Sequence, residues 1–452
     1  MESNMKSIVI PVLLTLAVST LALGAGGPTT DALPVTRPVP GAPAPTTTVT
    51  APRQETTVAP DSSGESTSSS EPAPAAPRIS SFSGTSDENA IAGAFVGMAT
   101  GGGGGRASPD ATSVFDEINS LPADELGRAI DQMSPAGNDS ITRAGRDIGR
   151  RQSDTVNDHL DDVRIGEGSG REGSGAGIPW SPWGLGIFND TIGPLPDTGE
   201  NYHSRSLGAS AGLDWRINSR FLAGVHLGYT ETRLNYTGSS RGEIDALSYG
   251  LYGAFILGDG HIQGGVDQSD QAFNNSRHIK FGRVARTATS SHDGRGRAAF
   301  LSGGYDFAFG AWGVSPMASL RHTIQKEDAY TESGADSLDL DVDRQQSEGT
   351  DSYIGLRIDH GGLLMGVRTT QRLTAGWGHN FNTGGRRISA GFSGSGGDHF
   401  TVTGPDGDAD GLELSGGLTA SFLGFTAFAD FGYSRAGDTR SQSVMAGVRS
   451  IF

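Results

Sequence analysis

The chain reads as an all-β transmembrane barrel of twelve antiparallel strands, with an α-helix in the lumen and a disordered N-terminal segment. Three observations predict this. Ser441 to Phe452 (SQSVMAGVRSIF) alternates, with Val444, Ala446, Val448 and Phe452 on one strand face and Ser443, Gly447 and Arg449 on the other. A closing barrel strand alternates in this way, apolar to lipid and polar to lumen. Tight turns and longer polar connections then take strict turns along 178–452. The N-terminus carries a secretory leader: Lys6, an apolar run from Ile8 to Leu23, and small residues at Gly24 and Ala25. A membrane helix is the alternative for that run, which is short and flows into Gly and Pro.

The leader spans 1–25. Residues 26–107 form a Pro/Thr/Ser/Gly-rich passenger or stalk with too few apolar residues to offset chain entropy, so disorder is expected. Within it Ala90 to Met98 (AIAGAFVGM) is a small apolar island of unreadable purpose, followed by Gly101–Gly105. Residues 108–177 are a helical linker partly inside the barrel. Ser108-Pro109-Asp110 opens one helix and Pro122-Ala123-Asp124-Glu125 another, with Leu126, Ile130 and Met133 as a narrow apolar stripe. From Ile141 to Val163 the stripe stays thin between Arg143, Arg146, Arg150 and Arg151 and then Asp154, Asp158, Asp161 and Asp162. Such a helix suits a water-filled lumen; a solvated surface helix is the alternative.

The barrel domain spans 178–452. Tight turns are expected near Asn218–Arg220, Gly258–Gly260, Gly310–Trp312, His360–Leu363 and Leu423–Gly424. Longer loops are expected near 189–204, 232–243, 274–293, 325–349, 381–409 and 435–440. The even strand count places both chain ends of the barrel on the periplasmic side. Ile388 to Thr403 could be an extra strand, but parity argues for loop structure. Phe221, Ala223, Val225, Leu227 and Tyr229 alternate with Gly224, His226, Gly228 and Thr230, and Leu412 to Phe422 and Phe425 to Ser434 behave likewise. Trp183, Trp215 and Trp312 are expected in a periplasmic aromatic girdle. A soluble β-sandwich explains neither the loop asymmetry nor the leader.

A net charge of −17 and a pI near 4.9 argue against nucleic acid as a partner. There are 69 glycines, no cysteine, and a mean hydropathy of −0.31. A cysteine-free chain cannot be trapped by periplasmic disulfides while threading a pore. No segment after the leader has the apolar run of a membrane helix, which leaves a closed barrel as the membrane-spanning form.

In their order these segments resemble the autotransporter (type V secretion) β-domain. Trp180–Gly186 is similar to its first strand, Gly208–Tyr229 to the hairpin of the second and third, and Ser248-Tyr249-Gly250-Leu251-Tyr252 to the fourth. Gly303-Gly304-Tyr305 with Pro316, Tyr330 to Ala335, Trp377 to Phe381 and Gly447 to Phe452 continue the match. Upstream, Ala129 to Pro135 (AIDQMSP) resembles the segment that precedes such barrels. The closing strand departs from the family at Ser450, where a bulkier residue is common. The resemblance covers about Glu125 to Phe452. It implies a lumen helix linking the barrel to an N-terminal passenger, delivery by periplasmic chaperones, and insertion by the outer-membrane assembly machinery. It further implies a monomeric barrel in outer-membrane lipid that exports its passenger to the surface of a Gram-negative cell. Some autotransporters sever the lumen helix at an asparagine. Asn157-Asp158 is the Asn-Asp pair within Ile141–Val163, but the surrounding motif is absent, so retained attachment is expected. The alternatives are a passive porin-like barrel with a periplasmic N-terminal region and an outer-membrane hydrolase.

Asp406-Gly407-Asp408-Ala409-Asp410-Gly411 resembles half a calcium loop, but Gly417 stands where the bidentate glutamate belongs. It reads as an acidic surface loop, as does the ladder Asp339, Asp341 and Asp343. Asp398-His399 and Ser291-His292-Asp293 are the catalytic pairs worth weighing. Sequence neighbours on a strand point apart, and no nucleophile motif surrounds either. No catalytic, cofactor or metal residue is assigned.

Overall fold

A computed structural model describes residues 78–102, 107–168, 180–194, 201–236, 240–393 and 398–450. The expected leader, the stretch 26–77 and Phe452 lie outside them. Twelve long strands form the barrel: β1 (Trp180–Pro194), β2 (Asn201–Arg216), β3 (Phe221–Tyr236), β4 (Ser240–Leu257), β5 (Gly260–Phe281) and β6 (Val284–Tyr305) come first. They are followed by β7 (Trp312–Glu327), β8 (Gln345–Leu364), β9 (Val367–Asn380), β10 (Asp410–Phe422), β11 (Phe425–Ala436) and β12 (Thr439–Ser450). All neighbours pair antiparallel, and β12 closes on β1 from Trp183↔Arg449 to Ile192↔Arg440. Closure removes both sheet edges, which lipid would leave unsatisfied.

Outward positions carry the apolar belt: Leu207, Val225, Leu251, Leu301, Ile354 and Leu373 are exposed, while their strand neighbours turn inward. Trp180 and Trp215 stack at 5.3 Å on the outer face, and Trp312 is also exposed, as a girdle requires. Trp183 departs from that expectation. It is odd in register with Trp180, so it points into the lumen and is buried.

The five tight turns lie on one side. Met365–Gly366 and Leu423–Gly424 have positive φ at both residues (50° and 82°; 48° and 85°), as type I′ hairpins need. The turn expected at His360–Leu363 is therefore displaced to Met365–Gly366, because β8 stays paired through Leu364. On the opposite side the expected loop 274–293 is mostly strand. β5 and β6 pair up to Phe281↔Val284 and turn at Gly282 (φ 50°), projecting well beyond the belt. Polar residues there mark solvent outside the membrane, not a break in pairing.

Among the described residues four α-helices precede the barrel: α1 (Ser86–Thr100), α2 (Pro109–Ser120), α3 (Ala123–Met133) and α4 (Asn138–Gly168). Thr85 and Glu88 form a capping box on α1, and Ser108 caps α2 with Pro109 in its first turn. The disorder expected through 107 does not hold for α1. Phe95 and Ile91 are buried against a second, four-stranded sheet made by Tyr330–Thr331, Leu340–Val342, Arg387–Phe392 and His399–Thr403. Ile388–Thr403 thus supplies two strands outside the barrel, which keeps its even count. Leu126, Ile130 and Met133 of α3 and Val114 and Ile118 of α2 complete this core, together with Ile279, Phe281 and Val284 from the projecting hairpin. The apolar island lacked a local partner in sequence; its partners come from α2 and α3 and from the sheet some three hundred residues further on.

Ion pairs fasten this cap to the hairpin. Arg286 donates to both oxygens of Asp110 (2.6 and 2.8 Å), and Arg283 donates side-chain and backbone N–H to Glu117. The Arg286 fork, helped by the Ser337 N–H, holds Asp110 well below the usual carboxylate range. A depressed folded-state value gives stability that is present above the unfolded value of about 3.9 and lost as pH falls through the folded one. Hydrogen exchange of α2 is therefore expected to speed up relative to α4 between pH 6 and pH 3. Asp110→Asn should shrink that difference; an unchanged difference rules the pair out as its cause.

Candidate functional site

α4 runs inside the barrel against β3 to β7. Its sparse apolar residues find matching wall: Ile141 and Ile148 pack with Leu234, Ile244 and Phe273, and Val156, Leu160 and Val163 with Leu185 and Leu222. Helix and wall approach closely at Gly145, where a Cβ would lie 3.0 Å from Gln271 Oε1 and 3.1 Å from Phe273 Cζ. The surface-helix reading of Ile141–Val163 is excluded by this burial. The helix begins earlier than expected, at Asn138, so Asn138-Asp139 is a second Asn-Asp pair within it.

The polar positions meet inward-facing polar residues. His159 stacks on Trp183 (4.4 Å) and donates Nε2–H to Asp214 (3.0 Å), which also accepts from the Tyr252 hydroxyl (2.6 Å). Trp183 Nε1 donates to that hydroxyl (2.7 Å), which explains its inward register. Gln152 Nε2 donates to His226 Nδ1 (3.1 Å), whose Nε2–H reaches Asp267 (2.5 Å). Asp161 pairs with Arg357 (3.0 Å) and Arg164 (3.0 Å), Arg372 bridges Asp162 and Asp430, and Arg321 bridges Asp154 and Asp351. Buried charges of this kind persist only when paired. Along one face of α4, a cavity of about 1040 Å³ separates Arg146, Arg150 and Asp158 from a wall that includes Ser319 of β7, Tyr353 of β8 and Glu413 of β10.

Direction along α4 is fixed by its ends. Asp139 pairs with Arg386 of the long 381–409 connection (2.9 Å), whereas Arg164 pairs with Asp306 beside a tight turn. The N-terminal end of α4, with the cap above it, therefore faces the long-loop side. Its C-terminal end faces the tight-turn side, where β1 begins.

The weighed catalytic and metal residues do not converge. His292 is buried, stacked between Phe273 (5.0 Å) and Tyr330 (4.2 Å), while Ser291 and Asp293 face outward. His399 contacts Asp343 (3.2 Å) on the exposed cap surface. Asp406 accepts the Gly385 N–H (2.7 Å) and Asp410 pairs with His379 (2.9 Å), so the two carboxylates serve separate partners. Asp339 accepts the Ala335 N–H (2.8 Å), away from the Asp343–Ser389 contact. Among the wall residues, Asp214 and Asp267 escaped notice in sequence, and His226 was read only as a strand position opposite the apolar face. Their only signal was a polar side chain at inward positions of otherwise apolar or Gly-rich strands.

The Autotransporter beta-domain family matches residues 196–432. The chain belongs to this family. The translocator domain of the autotransporter NalP from Neisseria meningitidis shares the fold with a TM-score of 0.57 at 18% identity, covering 71% of this chain and 100% of that one. An extracellular serine protease of Serratia marcescens is 26% identical over 266 residues, 57% of this chain and 24% of that protein. Outer membrane protein B of Rickettsia rickettsii is 26% identical over 191 residues, 40% of this chain and 12% of that one. The chain thus spans a quarter or less of the length of these curated relatives. As an autotransporter barrel it resides in the outer membrane, with the tight turns on the periplasmic side. The long loops and the cap then face outward from the cell.

Proposed function

We propose that this autotransporter barrel exports its own N-terminal segment and then anchors it at the cell surface, with α4 retained as a plug. The observation that carries the reading is the direction of α4: the described residues N-terminal to it, 78–102 and 107–137, lie on the long-loop side. A passive porin whose N-terminal region stays in the periplasm would need the opposite direction. Outer-membrane lipid, periplasmic chaperones and the barrel assembly machinery are the partners this requires, and the barrel acts as a monomer. The passenger comprises the Pro/Thr/Ser-rich stretch and ends in the folded cap, and we read the chain as a translocator and not an enzyme. Attachment is retained: Asn157 stays helical, its carboxamide oxygen accepting from Ser302 (2.5 Å) and Gln263 (3.0 Å).

An epitope tag near Pro40 tests this. It should be digested when intact cells are treated with protease, and the tagged chain should otherwise run at full length. A tag that resists protease on intact cells yet is digested in opened cells would sink the export reading.

A further inference from the structure

The strand register sets cations directly opposite one another at three places on the outer face. Arg205 of β2 opposes Arg233 of β3, Arg295 of β6 opposes Lys326 of β7, and Arg435 of β11 opposes Arg440 of β12. All six side chains are exposed and share their face with the apolar belt. Arg205 stands two residues beyond Leu207, Arg435 two beyond Tyr433 and Lys326 two beyond Ile324, each toward the long-loop side. At about 3.3 Å per residue, the cations sit roughly 7 Å beyond the last apolar or aromatic side chain on the outer face of their strands. That is the headgroup level of the outward leaflet, which long cationic side chains reach by snorkelling.

Like charges placed directly opposite destabilise a sheet. Carboxylates answer part of the charge: Asp190 at Arg205 (3.2 Å), Glu231 at Arg233 (2.5 Å) and Asp270 at Arg295 (3.1 Å). Among the described residues Lys326 and Arg440 have no ion-pair partner, and Arg435 reaches only the Gly437 carbonyl (2.9 Å). A chain with a net charge of −17 has thus gathered opposed cations around one rim. The arrangement becomes favourable when a third, doubly accepting anion sits between the two members of a pair. A phosphate has the oxygens to accept from both, and guanidinium groups match its geometry.

We propose that the β6–β7 and β11–β12 pairs, which keep cations that no carboxylate answers, are clamps for phosphate-bearing lipid headgroups of the outer leaflet, holding anionic lipid against the barrel. Continuity with the lipid-facing belt selects a lipid over a soluble anion: the clamps face sideways along the membrane plane. This inference rests on the outer-membrane location and not on passenger export.

The test uses the full chain in a neutral detergent, with folding checked by heat-modifiable mobility. Thermal melting is followed alone, with diphosphoryl lipid A, and with inorganic phosphate at the same phosphate concentration. The variants are Arg435→Gln with Arg440→Gln, and Arg295→Gln with Lys326→Gln. In detergent alone both should melt at or above the unsubstituted protein, because repulsion is gone. Lipid A should raise the melting temperature of the unsubstituted protein, and the variants should lose most of that rise. Variants that gain as much from lipid A as the unsubstituted protein would overturn the proposal. So would inorganic phosphate reproducing the rise, or variants that already melt lower in detergent alone. If a double variant does not fold, Arg440→Gln alone carries the same comparison.

Discussion

Deleting Ile141–Val163 is expected to turn a plugged barrel into an open pore, with single-channel conductance rising about threefold or more. That segment is a cylinder about 10 Å wide and about 35 Å long, roughly 2700 Å³ of excluded space. The present cavity is about 1040 Å³ and lies on one side of the helix only. The barrel itself should survive the deletion. Its strands pair around the whole circumference without α4, and Asp214, Arg357 and Arg372 keep their wall partners Tyr252, Asp306 and Asp430, while the water that enters replaces the α4 groups they lose. Planar-bilayer recordings of the intact and deleted chains provide the measurement. Equal conductance would mean that the helix does not restrict the pore.

Alternation made most of this barrel legible. Val225, Leu227 and Leu412 lie outward as their spacing demands, and parity correctly kept Ile388–Thr403 out of the wall. The departures have one common cause, which is that periodicity reports only local chain and misses distant partners. Trp183 looks like a girdle residue until His159 and Tyr252 are placed beside it. The polar segment 274–293 looks like a loop until the cap supplies a folded surface for both of its strands. Ala90–Met98 looks like an orphan island until Phe392, Phe400 and Ile130 surround it. The lumen network was half visible: the change of sign along α4, arginines first and aspartates after, could be read, but not the wall residues that answer it.

The cap gives the second large effect. Phe95 is fully buried and meets Phe392 edge-on at 5.3 Å, which in turn lies 5.4 Å from Phe400. Phe95→Ala removes the one aromatic ring that α1 inserts into the loop sheet, and should cost about 3–5 kcal/mol. The cap has little to spare, since besides Phe95 the α1 side chains in its core are Ile91, Ala92, Met98 and Ala99, with Ala90, Ala94 and Val96 partly buried at its edge. α1 should therefore detach while α4 stays in the lumen, held by its own network. On intact cells this predicts new protease cleavage within 78–107, full surface exposure of a tag near Pro40, and an unchanged heat-modifiable barrel. Undiminished protection of α1 would show that its packing against Phe392 does not hold it. The two outcomes separate cap from translocator, because the cap core needs both halves outside the membrane. α1 comes from the N-terminal side of the lumen helix and the sheet from loops that follow it. That core can form only after residues 78–133 have crossed, so its stability resists their return through the barrel.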